Sequence, residues 1–308
     1  MLKYMMFVAA ARAFSLTPQT RRLYRKLGNV VLEHQRMREG LPERYIERAN
    51  WLVETCKKHG ALQSGDQLLE IGTGWLHWEA TILRLFFDID ALLFDVVDNR
   101  LFHVYRQYTS KLTDCIDRIS ITAPGQQAKQ LALLRIIKDS RSFDEIYRAL
   151  SFKYVINPQG KLDKFRDGRF DLIVSCDVLE HVERRIVPDV ISDMYRIVKP
   201  GGYVIHQIDI SDHFWYFDTN VSRKNYYRFS EETWQRHFEN VVQYINRIQR
   251  PEWLRMFGEA GFDLCEEQIF SDPLGKMQIA AQYRNLEPRD LECSVMRVVY
   301  RKSSSGRK

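Results

Sequence analysis

The run Gln67-Leu68-Leu69-Glu70-Ile71-Gly72-Thr73-Gly74 constrains this chain more than any other segment. Apolar residues lead into two glycines and then into a stretch of helical character, which reads as a strand, a tight turn and a helix start. Glycine at 72 and 74 lets the backbone turn sharply and come close to a ligand, while the helix behind it offers free N–H groups. The acidic Glu70 at the strand's end is unsuited to a pyrophosphate and suits a cationic or hydroxyl-rich ligand. A second apolar run, Ala91-Leu92-Leu93-Phe94, ends at Asp95. A carboxylate there is placed to grip ribose hydroxyls, with Asp98 of the same Phe94-Asp95-Val96-Val97-Asp98-Asn99 run as the alternative.

Three further pieces follow in order: Phe170-Asp171-Leu172-Ile173-Val174-Ser175-Cys176-Asp177-Val178-Leu179-Glu180-His181-Val182, then Arg196-Ile197-Val198-Lys199-Pro200-Gly201-Gly202, then Tyr203-Val204-Ile205-His206-Gln207-Ile208-Asp209. With the E-x-G-x-G turn, this series resembles the class I S-adenosylmethionine-dependent methyltransferases over roughly residues 61–300, most strongly at 66–100 and 169–210. The resemblance implies an α/β, Rossmann-like seven-stranded fold and S-adenosyl-L-methionine as cofactor. It implies that Glu70, Gly72, Thr73 and Gly74 line the methionine part and that Asp95 or Asp98 binds the ribose. Cys176 and Asp177 fall where the family touches cofactor or acceptor, and Asn157 stands in for the acidic residue expected after the third strand. Asp177 as a cap for the following helix is the plainer alternative. The family's third glycine is replaced by Leu76, and Trp75, His77 and Trp78 are unusual in that turn.

Composition bounds the rest. With 308 residues, 45% of them hydrophobic, the chain is globular. Five widely spaced cysteines without a C-x-x-C pair favour free thiols in a reducing compartment. Residues 1–60 hold twelve Lys and Arg against five Asp and Glu, more than the whole net charge of +6. This basic N-terminal helical arm suits an anionic membrane surface, RNA or a phosphorylated substrate, or is simply a solvated face. Residues 1–13 imitate a secretory signal but carry too short an apolar run to span a bilayer, which takes ~20 residues. A helix lying on a membrane or on the protein's own core stays open, and a cytoplasmic enzyme, peripheral to the membrane at most, is the expected setting.

Helices are expected over 19–31, broken at Gly28-Asn29, and over 42–59. The methyltransferase domain spans 61–300, with helical insertions near 99–165 and 211–250, and 301–308 is a basic, disordered tail. Strands are expected at 67–71, 91–96, 152–156, 170–176, 202–210, 262–270 and 294–300, with helices at 75–87, 185–198 and 251–260.

Ligands of open α/β sheets bind at the carboxyl ends of strands. At the mouth of the fifth strand the run Asp209-Ile210-Ser211-Asp212-His213-Phe214 clusters Asp and His. A hydroxyl acceptor needs its proton removed, and histidine suits the task. His213 is therefore the expected base, His206 the second candidate, and Asp209 or Asp212 the carboxylate that orients the ring. No metal is expected, since no second set of carboxylates is evident near this run. Tyr216, Arg223, Tyr226, Tyr227 and Arg228 are expected either around an acceptor pocket or in a cap over the sheet. The expected reaction is O-methylation of a sugar, glycan or other small hydroxylated acceptor. RNA is the less favoured acceptor, because the fourth strand lacks an N-P-P-Y type ending, and a non-catalytic cofactor- or partner-binding protein is the alternative of another class.

Overall fold

The computed structural model describes residues 1–121 and 125–304. The chain opens with α1 (Leu2–Ser15), α2 (Pro18–Glu39) and α3 (Glu43–His59), then enters β1 (Gln67–Ile71), α4 (Trp78–Phe86) and β2 (Asp90–Asp95). Next come α5 (Phe102–Leu112), α6 (Gln126–Asp139), α7 (Phe143–Leu150), β3 (Phe152–Ile156) and β4 (Phe170–Cys176). The remainder is α8 (Val187–Ile197), β5 (Val198–Asp209), α9 (Glu231–His237), α10 (Arg250–Glu259), β6 (Phe262–Ser271), α11 (Pro288–Glu292) and β7 (Cys293–Lys302).

The seven strands form one sheet in the order β3-β2-β1-β4-β5-β7-β6. β1 pairs parallel with β2, placing Gln67 opposite Asp90 and Ile71 opposite Phe94, and parallel with β4 on its other side. β2 pairs parallel with β3. Parallel neighbours need crossover connections, which the intervening helices supply. Leu68, Leu69, Leu93, Leu172, Ile173 and Val174 are buried along these strands, as near-continuous apolar runs require when both faces are covered. This is the expected seven-stranded, Rossmann-like fold.

Two elements differ from expectation. α2 runs unbroken through Gly28, because one interior glycine costs only ~1 kcal/mol, which a helix of 22 residues absorbs. β5 begins at Val198 instead of after the Lys-Pro-Gly-Gly turn. A Cβ on Gly202 would stand 2.8 Å from the Asp171 carbonyl oxygen, so only glycine permits that approach. Lys199 Nζ, at 2.7 Å from both Asp171 carboxylate oxygens, fixes the same corner.

The chain divides into two compact units. One comprises Met1–Gly28, Asp177–Ile191 and His206–Val299; the other comprises Asn29–Cys176, Ser192–Ile205 and the residues from Tyr300 on. They are called the first and second unit below. In the first, Tyr4, Val8 and Ala11 of α1 join Phe214, Trp234 and Phe238 in one apolar cluster. The Met1 ammonium lies 2.6 Å from Asp218, and Tyr4 Oη donates to Asp212 at 2.7 Å. The apolar start of the chain therefore lies on its own unit's core. Tyr226 and Tyr227 are interior as well, so this part of the aromatic insertion caps a core and does not line a pocket. Among the described residues no helix is long and apolar enough to cross a membrane. Residues 305–308 of the expected tail lie outside the described part.

Candidate functional site

In the second unit, the glycine turn sits at the carboxyl end of β1. Gly72 and Gly74 have φ of 70° and 57°, the left-handed region that side chains disfavour. The Gly72 and Thr73 amides both donate to the Phe94 carbonyl, at 2.8 and 3.2 Å. Asp95 completes the clamp: Oδ2 accepts from the Gly74 amide at 2.8 Å and Oδ1 from the Val96 amide at 2.7 Å. Burial raises the Asp95 pKa, and the amides of Gly74, Val96 and Val97 oppose that shift. Two carboxylate oxygens have about four lone-pair sites, so acceptor capacity remains for a hydroxyl.

Glu70 is fully buried, with Oε2 accepting from the Ala80 amide in the first turn of α4 at 3.0 Å. Oε1 has no hydrogen-bond partner among the described residues. Burial, followed by the neighbouring Glu79, holds its pKa well above the ordinary carboxylate value. His77, left-handed at φ 43°, precedes α4 and is saturated. Its Nδ1 meets Thr73 Oγ1 at 2.8 Å and its Nε2 meets Tyr147 Oη at 2.7 Å. Burial first, then Arg100, pushes its pKa down to about 3. Trp78 is buried and donates to the Tyr45 carbonyl at 3.1 Å, while Trp75 carries the Arg36 guanidinium 3.6 Å above its ring.

The other expected cofactor residues of this unit are differently engaged. Asp98 is paired with Arg100, whose Nε and Nη2 donate to its two oxygens at 2.9 and 2.7 Å. That bond is the main reason its pKa is lowered, and it leaves Asp95 the better placed of the two for a ribose. The Asn157 side-chain amide serves its own turn: Nδ2 donates to the Lys161 carbonyl at 2.9 Å and Oδ1 accepts from the Gln159 amide at 3.2 Å. Cys176 ends β4 partly buried and in no disulfide.

In the first unit, the residues after β4 form a strained turn. Asp177 is left-handed at φ 58°, a conformation that non-glycine residues hold mainly where surrounding structure enforces it. Its amide donates to the Gln207 carbonyl at 3.0 Å, and Gln207 Nε2 donates to its Oδ1 at 2.9 Å. It does not cap the next turn, a single 3₁₀ turn at Leu179–His181 that has no side-chain cap. Asn246 clamps that turn: its amide donates to the Glu180 carbonyl at 2.8 Å and its Nδ2 to Leu179 O and Val182 O at 2.8 and 3.1 Å. Nothing local in the sequence marks Asn246 for this task.

The clamped turn brings Glu180 and His181 to His213. The two imidazoles lie 4.9 Å apart, centroid to centroid. His181 Nδ1 lies 2.8 Å from the Tyr244 carbonyl and donates to it. Asp209 Oδ2 stands 3.7 Å from His213 Nε2 and accepts from Tyr216 Oη at 2.8 Å, while Oδ1 accepts from the Ser211 amide at 2.9 Å. Burial alone would raise the Asp209 pKa, but His213 and the Ser211 and Tyr216 hydrogen bonds outweigh it and hold the carboxyl low. Burial and then His181 lower the His213 pKa to about 4. At neutral pH the pair is an ionised carboxylate beside a neutral imidazole.

Of the two candidate orienting carboxylates, Asp209 faces His213 and Asp212 does not. Asp212 accepts from Tyr4 Oη and, at 3.0 Å, from the Phe214 amide, and burial lifts its pKa to about 7. His206 is fully buried against Phe257, and that burial lowers its pKa to about 3. A cleft of about 760 Å³ opens in this unit, lined by Arg12, His181, Arg184, Glu231, Tyr244 and Arg247 among others. Of the aromatic insertion, Tyr216 alone among the expected pocket residues reaches the Asp209–His213 pair.

The sequence model of a methyltransferase-domain family matches residues 36–267. No curated protein sequence matches the chain. Among solved structures, it is similar to a chain in the complex between the Haloferax volcanii Trm112 methyltransferase activator and a methyltransferase, with 16% identity, 85% of this chain and 93% of that chain covered and a TM-score of 0.45. It is also similar to the Haemonchus contortus phosphoethanolamine N-methyltransferase 2 bound to S-adenosyl-L-methionine, with 16% identity, coverage of 82% and 52% and a TM-score of 0.45. A third is an S-adenosylmethionine-dependent methyltransferase from Methanosarcina mazei, with 14% identity, coverage of 80% and 97% and a TM-score of 0.43. At these identities none of them assigns an acceptor.

Proposed function

Because the chain belongs to the S-adenosylmethionine-dependent methyltransferases, we propose that it is the hydroxyl of a small, polar acceptor, such as a sugar, that this enzyme methylates. The observation that carries the reading is the Asp209–His213 pair, ionised carboxylate beside neutral imidazole. An amine acceptor needs no base once unprotonated, whereas a hydroxyl must give up its proton, and the neutral His213 ring is placed to take it.

S-adenosylmethionine supplies a methyl group already activated on a sulfonium, so the protein's task is placement and proton removal. The second unit's residues fit that cofactor: Asp95 keeps lone pairs for ribose hydroxyls, and the buried Glu70 carboxyl sits beside the glycine turn. In the first unit, the cleft beside His181 takes the acceptor, with Arg12, Arg184 and Tyr244 offering donors to its oxygens. The Asp209–His213 pair removes the hydroxyl proton, Asp209 stabilising the imidazolium as it forms, and Tyr216 holds Asp209 in place.

The test is formation of S-adenosylhomocysteine with a panel of nucleotide sugars, glycans and small amines. Turnover confined to hydroxylated acceptors, with the product methylated on oxygen, is the expected result. Methylation of the amines alone would sink the reading.

A further inference from the structure

Among the described residues, one group of side chains has the composition and spacing of a metal site: Glu180, His181 and His213, whose ligand atoms all lie within 4.8 Å of one another. We infer that these three residues bind a divalent first-row transition ion, of the Mn²⁺, Co²⁺ or Zn²⁺ kind, next to the acceptor cleft. The inference rests on the reading that this cluster serves the acceptor, and it moves His213 from proton acceptor to ligand.

Glu180 is 1% exposed, and its carboxylate finds no side-chain donor among the described residues, only the backbone amides of Glu180 itself and Asp209. His213 is 8% exposed, and its Nε2 is without a hydrogen-bond partner among the described residues. A buried carboxylate with no charged or side-chain donor is costly and ordinarily neutralises or finds a cation. Asp177 and Asp209 add negative potential at Glu180. Two imidazoles and one carboxylate make a donor set suited to Zn²⁺, Mn²⁺, Fe²⁺ and Co²⁺ and poorly suited to Ca²⁺ or Mg²⁺.

Coordination at about 2.1 Å places donors roughly 3–3.5 Å apart, so closing the site takes side-chain shifts of about an ångström. The outer shell is already built. The bond from His181 Nδ1–H to the Tyr244 carbonyl at 2.8 Å fixes the tautomer that leaves Nε2 open. The Asn246 clamp on the Glu180 backbone holds the turn that presents both ligands. His181 also lines the cleft, which gives the ion a solvent path and an open coordination position toward the acceptor. An acceptor oxygen on that position becomes more acidic, leaving Asp209, 3.7 Å from His213 Nε2, to receive its proton.

Titration of the chelator-stripped, dialysed full chain with Co²⁺, followed by its visible absorption and by metal analysis, tests this. The expected result is one Co²⁺ per chain, with affinity reduced at least tenfold in Glu180→Gln and in the cleft-lining His181→Asn, both checked for native circular dichroism. No Co²⁺ or Mn²⁺ binding by the wild-type chain, or equal binding by both folded variants, overturns the site. Turnover of hydroxylated acceptors without any Co²⁺ binding overturns the ion and keeps the acceptor reading. Co²⁺ binding without turnover of any hydroxylated acceptor keeps the ion and overturns the acceptor reading.

Discussion

His77 in the second unit and His213 in the first are both buried and both held neutral by that burial, yet they are partnered in opposite ways. Every ring nitrogen of His77 is engaged, Nδ1 by Thr73 and Nε2 by Tyr147. His213 keeps one nitrogen open, beside a carboxylate that does not bond it and a buried Glu180 that no side-chain donor reaches among the described residues. The first arrangement locks a turn, since a saturated imidazole has nothing left to offer a ligand. The second carries an unmet desolvation cost that an incoming proton or cation would relieve. Saturation, more than burial or residue type, separates the scaffolding histidine from the one disposed toward chemistry.

The comparison can be broken at several points. Asp95→Ala removes a carboxylate that accepts from Gly74, Val96 and Val97. With charge-assisted bonds contributing ~1.5–3 kcal/mol each, S-adenosylhomocysteine affinity should fall by ~100-fold or more in calorimetric titration. Unchanged affinity would mean that the turn's organisation does not serve the cofactor.

Asp209→Asn should leave that affinity unaltered while lowering kcat by roughly 100-fold, the low end of the ~10²–10⁴-fold that general acid–base groups supply. A loss in cofactor affinity instead would erase the division of labour between the two histidine surroundings. Tyr216→Phe removes one hydrogen bond to the ionised Asp209 and should cost ~10-fold in kcat, the low end of the ~1.5–3 kcal/mol a bond to a charged group contributes, because the Ser211 amide still holds the carboxylate.

The smallest effect is a pH slope. The folded-state pKa of His77, about 3, lies below its ordinary 6.5. The unfolded chain therefore binds the extra proton between those values. Stability from the neutral ring is complete above pH 6.5 and is lost as pH falls toward 3. His77→Gln, which does not titrate, should flatten the acid limb of a denaturant-stability curve by up to ~1.4 kcal/mol per pH unit. An unaltered limb would show that the ring is not buried neutral.

Local chemistry made much of the fold legible. β3 and β4 fall on the expected residues because compact apolar runs between turn residues leave no other way to bury them. The glycine turn was equally plain, since φ of 70° and 57° at Gly72 and Gly74 is a demand on residue type. β5 was misjudged at its start because Gly202's need for glycine comes from the Asp171 carbonyl, a neighbour distant in the chain.

The candidate site was half legible. The sequence by itself determined the order of strands and turns, the glycines that the first turn requires, and the Asp and His residues clustered after β5. These follow from backbone sterics and apolar periodicity, which act within a few residues. Tertiary structure alone decided that Asp209 faces His213 while Asp212 turns to Tyr4, and that Asn246 clamps a turn that carries Glu180 and His181 to His213. Asp209 and His213 are only four positions apart, but the other pairings join residues some 30 to 210 positions apart, and which buried polar groups end with partners is settled only when the whole chain has packed.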